Sequence, residues 1–158
     1  MNVIKELAEQ IRDEIPNLER AIKRALQAWQ YAIAEPDRQE FYIDSASLNL
    51  QSFYTGIERL FSLIAKHIDC SLPTGKNWHS DLLWQMASDL SNIRPAVIKT
   101  ERAAILDEFR GFRHRVRNIY SSDILPENVG VLILTLNASW SELYTDLLAF
   151  AEFLDELA

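Results

Sequence analysis

The sequence contains little cysteine, glycine or proline, and it has no long apolar run. Cys70 is the only cysteine among 158 residues, which excludes an intrachain disulfide, and we expect its thiol to be a small packing group near a loop. No stretch of about 18 apolar residues occurs and no secretory signal pattern is present, so neither a membrane span nor export is indicated. We therefore expect one cytoplasmic domain over residues 1–158.

Missing motifs disfavour several classes of cofactor enzyme. The three histidines and the single cysteine do not fall at the spacing of metal ligands, and no histidine belongs to a Glu-x-x-His pair of the di-iron type. The four glycines form no phosphate-binding loop. We therefore expect neither a metal nor another cofactor.

Apolar residues recur in steps of three and four along most of the chain, which is typical of amphipathic helices. The first long helix carries such a stripe from Ile4 to Ile33. The stripe keeps its register across Pro16, which predicts a kink and not a break. Asp37, followed three residues later by Glu40, resembles a capping box that begins a second helix. No segment alternates with a period of two, so we predict an all-α, up-and-down bundle of four main helices and one shorter helix.

The pattern continues beyond the second helix. A shorter third helix takes its apolar face from residues between Leu82 and Leu90. Thr100 is expected to cap a fourth helix that runs to about Tyr120. Pro126 lies near the start of a fifth helix, because proline is favoured in the first helical turn.

Residues 109–120, F-R-G-F-R-H-R-V-R-N-I-Y, form a basic segment in an acidic chain. The segment holds four of the 16 Lys and Arg and none of the 23 Asp and Glu of a chain with net charge -7. Helical spacing places Arg113, Arg117 and Tyr120 in one column at the edge of the apolar face. Arginine suits phosphate because its planar fork donates paired hydrogen bonds, so we predict that Arg110, Arg113 and Arg117 bind phosphate. The alternative is a solvated face or salt bridges to the acidic surface. The residues expected to face the core are Ile105, Phe109, Phe112, Val116 and Ile119.

The run F-R-H-R-V-R-N-I-Y at residues 112–120 resembles the Arg-polar-x-x-x-His-x-Tyr signature of HEPN-superfamily proteins. The likeness is greatest to HepT-like toxins encoded beside minimal nucleotidyltransferases. The segments F-Y-T-G-I-E-R-L-F (residues 53–61) and G-K-N-W-H-S-D-L-L (residues 75–83) also resemble one HepT-like branch. This resemblance implies a homodimeric helical bundle in which the signature helices of two subunits line a cleft that cuts RNA without a metal.

The resemblance places the catalytic arginine of the signature at Arg113, its polar residue at His114 and its tyrosine at Tyr120. The expected catalytic histidine falls on Asn118. Metal-free RNA cleavage needs a proton acceptor, and an amide cannot take up a proton near neutral pH. Asn118 is therefore limited to orienting a phosphate or a water molecule, and His114 and His79 are the candidate substitutes for the missing base.

Two functions from different classes stay open at this point. The first is a HepT-like toxin that acts as a metal-independent endoribonuclease. The second is a HEPN module that binds nucleotide or RNA without cutting it, or that accepts AMP on Tyr120 from a nucleotidyltransferase antitoxin, as the resemblance implies. A third function, docking of the fourth helix to a membrane surface, is disfavoured because the net charge of -7 opposes binding to anionic lipids.

Overall fold

The computed structural model describes residues 2–158, and within that range the chain forms five α-helices and no β-strand. The all-α prediction is confirmed. The first helix packs along the second and the fifth, and the fourth contacts the second, third and fifth. Within the same range, no helix is both long enough and apolar enough to cross a bilayer. The helices are α1 (Val3–Ala34), α2 (Gln39–Ile64), α3 (Trp78–Met86), α4 (Thr100–Val116) and α5 (Pro126–Leu157).

The long helix α1 begins at a capped N-terminus and continues through its proline. The side chain of Asn2 accepts hydrogen bonds from the backbone N–H groups of Ile4 and Lys5, at 3.0 and 3.4 Å. Pro16 lies inside the helix without ending it, as the unbroken apolar register predicted. The buried face of α1 includes Leu7, Ala8, Ile11, Ile15, Leu18, Ala21 and Ala25.

The predicted caps of α2 and α4 are wrong. Asp37 lies in a 3-10 turn, Pro36–Arg38, and α2 begins at Gln39 without a side-chain cap. The turn leads directly into the helix, because the N–H of Arg38 bonds to the carbonyl of Glu35 at 3.0 Å.

Thr100 is the first residue of α4 and not its cap. The N-cap is Lys99, whose backbone N–H donates to Asp146 of α5 at 3.3 Å. A carboxylate from another helix thus binds the chain at this end of α4, which local sequence does not reveal.

The fourth helix also ends four residues earlier than predicted, at Val116 instead of Tyr120. The side-chain amide of Asn118 donates to the backbone carbonyl of His114 at 2.7 Å. This bond satisfies one of the carbonyls that a helix leaves unpaired at its C-terminus. The chain then leaves the helical path.

Two predictions about the basic segment fail for that reason. Tyr120 does not continue the helical column of Arg113, because the spacing of 100° per residue applies only inside a helix. Arg117 still follows Arg113 by one turn, since its backbone N–H donates to the carbonyl of Arg113 at 3.2 Å. Ile119 was expected in the core and is exposed. The other residues predicted to face the core from α4 are buried or packed against the core.

The third helix ends at Met86, so Leu90 lies outside it, contrary to prediction.

A buried ion pair holds the segment that follows α3 in place. Arg94 donates to Asp69 through Nε at 2.5 Å and through Nη2 at 2.7 Å, and both side chains are fully buried. Its other bonds, to the carbonyls of Ser88, Pro95 and Gln85, satisfy the rest of the guanidinium. The pair anchors this segment to the π-helical turn Ala65–Asp69 that follows α2.

The predicted packing role of Cys70 is wrong, because its side chain is exposed. Cys70 follows the π-helical turn in the left-handed region, with φ of 53°. That backbone conformation ends the helical path at the surface, where the chain turns into the loop before α3.

Candidate functional site

Five of the predicted site residues meet at one recess between α3 and α4. The recess has a volume of about 60 Å³, enough for a few water molecules. Residues from two segments that the sequence analysis treated separately therefore come together. The lining side chains are His79 from α3, Arg110, Arg113 and His114 from α4, and Arg117 just beyond the end of α4.

Arg113 is the most firmly held residue of this recess. Its side chain is 4% exposed, and Nη2 donates to both carboxylate oxygens of Glu58, at 3.0 Å to Oε1 and 2.8 Å to Oε2. Nη1 donates to the hydroxyl of Thr55 at 3.2 Å, and the guanidinium carbon lies 4.8 Å from the ring centre of Tyr54. Hydrogen bonds and a cation–π contact thus fix this guanidinium against α2.

The ring of Tyr54 lies beneath the guanidinium of Arg113. Its side chain is almost fully buried, and that burial raises the pKa of the phenol well above its ordinary value. The negative charge of Glu58 raises the pKa further, while Arg113 and Arg110 act in the opposite direction. The ring therefore stays neutral and presents its π face to the guanidinium.

His79 pairs with the same carboxylate. Its Nδ1 lies 2.8 Å from Oε2 of Glu58 and 3.3 Å from Nη2 of Arg113. The ring also lies against Trp78, with centres 3.5 Å apart. Because Nδ1 is turned towards Glu58, the second ring nitrogen, Nε2, lies on the opposite side of the imidazole.

The remaining arginines differ in how far they are already paired. Nε of Arg110 donates to Asp107 of the same helix at 2.7 Å, and the side chain is partly buried. Arg117 is exposed, and no carboxylate among residues 2–158 lies within 4.0 Å of it. Arg117 and the unpaired face of Arg110 are therefore the most available donors for an anion, whereas Arg113 already bonds to a carboxylate of its own chain.

Two predicted residues lie outside the recess, whereas His114 lines it and is exposed. Asn118 directs its amide back to the carbonyl of His114 at 2.7 Å and does not line the recess. Tyr120 is 82% exposed and does not line the recess either.

A larger groove adjoins the recess along α4 and α5. Its volume is about 600 Å³, and Arg110 lines both cavities. Gly111 forms part of its wall, where an added Cβ would lie 3.3 Å from Nη1 of Arg115. The basic segment therefore borders both depressions. The other residues that line this groove are Asp107, Glu108, Asn128, Val131 and Leu132.

Sequence reasoning missed the contribution of α2, which supplies Tyr54, Thr55 and Glu58. A signal for Glu58 was present, because this acid lies between the core residues Ile57 and Phe61. A carboxylate at a core position requires a cation or several donors. That requirement points to a partner of positive charge but does not say which one.

Comparison with known protein families gives a match over most of the chain. The chain matches the model of a family described as HepT-like protein over residues 45–154, more than two thirds of its length. No curated protein and no solved structure gives a significant match. The matched range includes Glu58, His79 and Arg113, and with them the whole of α3 and α4, between which the recess lies. The chain therefore belongs to the HepT-like family.

Proposed function

We propose that this protein is a toxin that cuts RNA without a metal, with the recess between α3 and α4 as its reaction centre. The observation that carries the proposal is the position of His79, whose imidazole lines the recess while a carboxylate holds its Nδ1 at 2.8 Å. His79 thus takes the role of general base that Asn118 cannot fill.

The proposed reaction is a transesterification of the RNA backbone. Nε2 of His79 accepts the proton of a 2'-hydroxyl, and the 2'-oxygen forms a bond to phosphorus. The bond between phosphorus and the 5'-oxygen breaks, and protonated His114 gives its proton to that oxygen. The products are a 2',3'-cyclic phosphate and a 5'-hydroxyl, so no water, metal or cofactor is consumed.

The arginines bind the phosphate and stabilise its negative charge. Arg117 and Arg110 neutralise the phosphate oxygens as the RNA binds. The fixed position of Arg113 supports a second role, since a preorganised cation stabilises charge as it develops on the transferring group. Arg113 also has to keep Glu58 paired, so its share in phosphate binding is the smaller one.

We further propose that the active species is a cytoplasmic homodimer regulated by a nucleotidyltransferase antitoxin. Exposed apolar side chains near the basic segment support a second subunit there, because isolated proteins rarely expose such groups together. These side chains are Ile119, Leu125, Val131 and Leu134. A strand of RNA would then contact two basic segments.

Incubation of the purified protein with tRNA and mRNA in EDTA tests the proposed activity. We expect fragments that end in a 2',3'-cyclic phosphate, and no cleavage where the RNA carries a 2'-deoxy group at the cut site. His79→Gln and His114→Gln should each reduce the rate by about 10²- to 10⁴-fold. His67→Gln is the matched control, because His67 lies in the π-helical turn and does not line the recess. Intact RNA at high protein concentration would overturn the proposal.

A second candidate, a HEPN module that binds RNA or nucleotide without cutting it, is favoured by the state of Asn118. The residue at the signature histidine position is an amide, and its side chain is bound to the helix end. Asn118→His distinguishes the two candidates. Cleavage by this variant but not by the wild-type protein would identify a binding module that has lost its base.

The exposure of Tyr120 favours one form of this second candidate, in which the protein accepts AMP. The phenol is 82% exposed and ends the basic segment, whose arginines are available to hold a triphosphate. Incubation with a purified minimal nucleotidyltransferase and ATP should add the mass of AMP. Tyr120→Phe should abolish this gain, whereas Tyr31→Phe, which removes another exposed tyrosine, should not.

A further inference from the structure

We propose that Glu58 is the positioning residue of the reaction, setting which nitrogen of His79 carries the proton. This inference rests on the proposed function, in which His79 is the base. Glu58 was not among the residues that the signature resemblance identified. Its carboxylate contacts both His79 and Arg113.

The two contacts of Nδ1 would be satisfied by different states of that nitrogen, one with a hydrogen and one without. An ionised carboxylate can only accept, so the contact of 2.8 Å with Glu58 requires a hydrogen on Nδ1. Arg113 can only donate, so its longer contact of 3.3 Å would be satisfied by a lone pair on Nδ1. The shorter contact, to a charged acceptor, decides the tautomer. Neutral His79 therefore carries its hydrogen on Nδ1 and its lone pair on Nε2.

Arg113 holds the carboxylate in the position that this role requires. Nη2 donates to both oxygens of Glu58, which fixes the plane of the carboxylate. Arg113 is held in turn by Thr55 and by the ring of Tyr54. Contacts thus link side chains of α2, α4 and α3, and each side chain restricts the conformations of the one that it contacts.

The consequence for the reaction is twofold. The Nε2 lone pair is available for the 2'-hydroxyl proton without a change of tautomer. After proton transfer, the charge of Glu58 stabilises the imidazolium at 2.8 Å. Glu58 does not line the recess, so it acts on the reaction through His79 and through the Arg113 that it holds.

The Glu58→Gln variant separates this role from simple packing. The amide has the shape of the carboxylate but lacks its charge, and it can present either an oxygen or an NH₂ group to Nδ1. We expect the single tautomer of the wild-type protein to give way to a mixture. Nitrogen-15 NMR of protein with labelled histidine reads the tautomer directly, since protonated and unprotonated ring nitrogens have different chemical shifts.

Cleavage rates complete the test. Glu58→Gln should lower the single-turnover rate by at least about 100-fold with RNA affinity unchanged, and Glu58→Asp, which keeps the charge, should recover part of the rate. Glu142→Gln is the matched control, because Glu142 also pairs with an arginine, Arg102, at 2.7 Å, and does not line the recess. It should change neither the tautomer nor the rate.

Separate outcomes overturn the inference and the proposed function. A wild-type His79 with hydrogen on Nε2, or a Glu58→Gln variant that keeps both the wild-type tautomer and the wild-type rate, would overturn the positioning role even if RNA is cut. A wild-type protein that cuts no RNA but shows the Nδ1–H tautomer, lost in Glu58→Gln, would overturn the ribonuclease proposal and leave the control of His79 by Glu58 standing.

Discussion

Glu58 on α2 and Arg113 on α4 form an ion pair inside the bundle, although 55 residues separate them in the chain. Nη2 of Arg113 lies 3.0 and 2.8 Å from the two carboxylate oxygens, and both side chains are largely buried. The signature arginine is therefore part of the packing between helices as well as of the recess. A substitution at either residue should therefore affect both the stability of the fold and the proposed activity.

The first prediction concerns the stability of this pair. Glu58→Ala should lower the free energy of unfolding by about 3–5 kcal/mol, because it leaves Arg113 buried without a counter-charge. Adding Arg113→Met should recover much of the loss, since no unpaired charge then remains. Urea denaturation measures both effects. Asp155→Ala breaks the exposed pair with Arg12 and should cost less than about 1 kcal/mol. Equal losses at the two sites would contradict the role of burial.

Two helix glycines should respond in opposite directions to the same substitution. Gly111→Ala should raise the free energy of unfolding by up to about 1 kcal/mol, because alanine favours the helix and the new Cβ meets only the flexible end of Arg115 at 3.3 Å. Gly130→Ala should lower it by about 1–3 kcal/mol, because its Cβ would lie 2.5 Å from the ring of Trp29. Thermal and urea unfolding check both values. Similar effects of the two changes would show that the lack of space for a Cβ at Gly130 does not determine the change in the free energy of unfolding.

The third prediction concerns binding of RNA. Arg117→Ala should weaken binding of single-stranded RNA and reduce the slope of log affinity against log salt concentration by about 0.7, the effect of one lost phosphate contact. Fluorescence anisotropy at several KCl concentrations measures this slope. Arg20→Ala, an exposed arginine on α1 outside the recess, is the control. A slope that is unchanged in Arg117→Ala would remove this residue from the phosphate site.

Alkaline pH should destabilise the protein through Tyr54. Burial raises the pKa of Tyr54 in the folded state above the ordinary value of 10.0 for tyrosine, so the folded state retains a proton that the unfolded state has lost. The stabilising contribution is complete below pH 10 and is lost as the pH rises beyond it. The slope from this group approaches about -1.4 kcal/mol per pH unit. In Tyr54→Phe, urea denaturation at a series of alkaline pH values should show a shallower decline than in the wild-type protein. An identical decline would contradict this assignment.

Local patterns in the sequence predicted the helices well but their ends poorly. The apolar stripe predicted α1 through Pro16, because helix period depends on neighbours three and four residues apart. The start of α4 is bonded to Asp146, and its end is closed by Asn118. These contacts involve another helix or a bond back to the backbone, neither of which apolar periodicity encodes.

In the candidate site, too, local sequence predicted individual residues but not the contacts between them. The signature resemblance singled out Arg113, and His79 was a secondary candidate from its own segment. Their meeting at one recess depends on packing of α3 against α4, and Glu58 enters from α2. No fixed spacing in the sequence links these three residues. The position of Tyr120 was not predictable from helical geometry, because the helix ends before it.

The most direct measurement is the single-turnover rate of RNA cleavage in EDTA, at saturating RNA, for the wild-type protein and for His79→Gln. We predict that the wild-type protein cuts RNA and that the variant is at least about 100-fold slower while binding RNA equally well. Cleavage at the same rate by both proteins would contradict the assignment of His79 as the base.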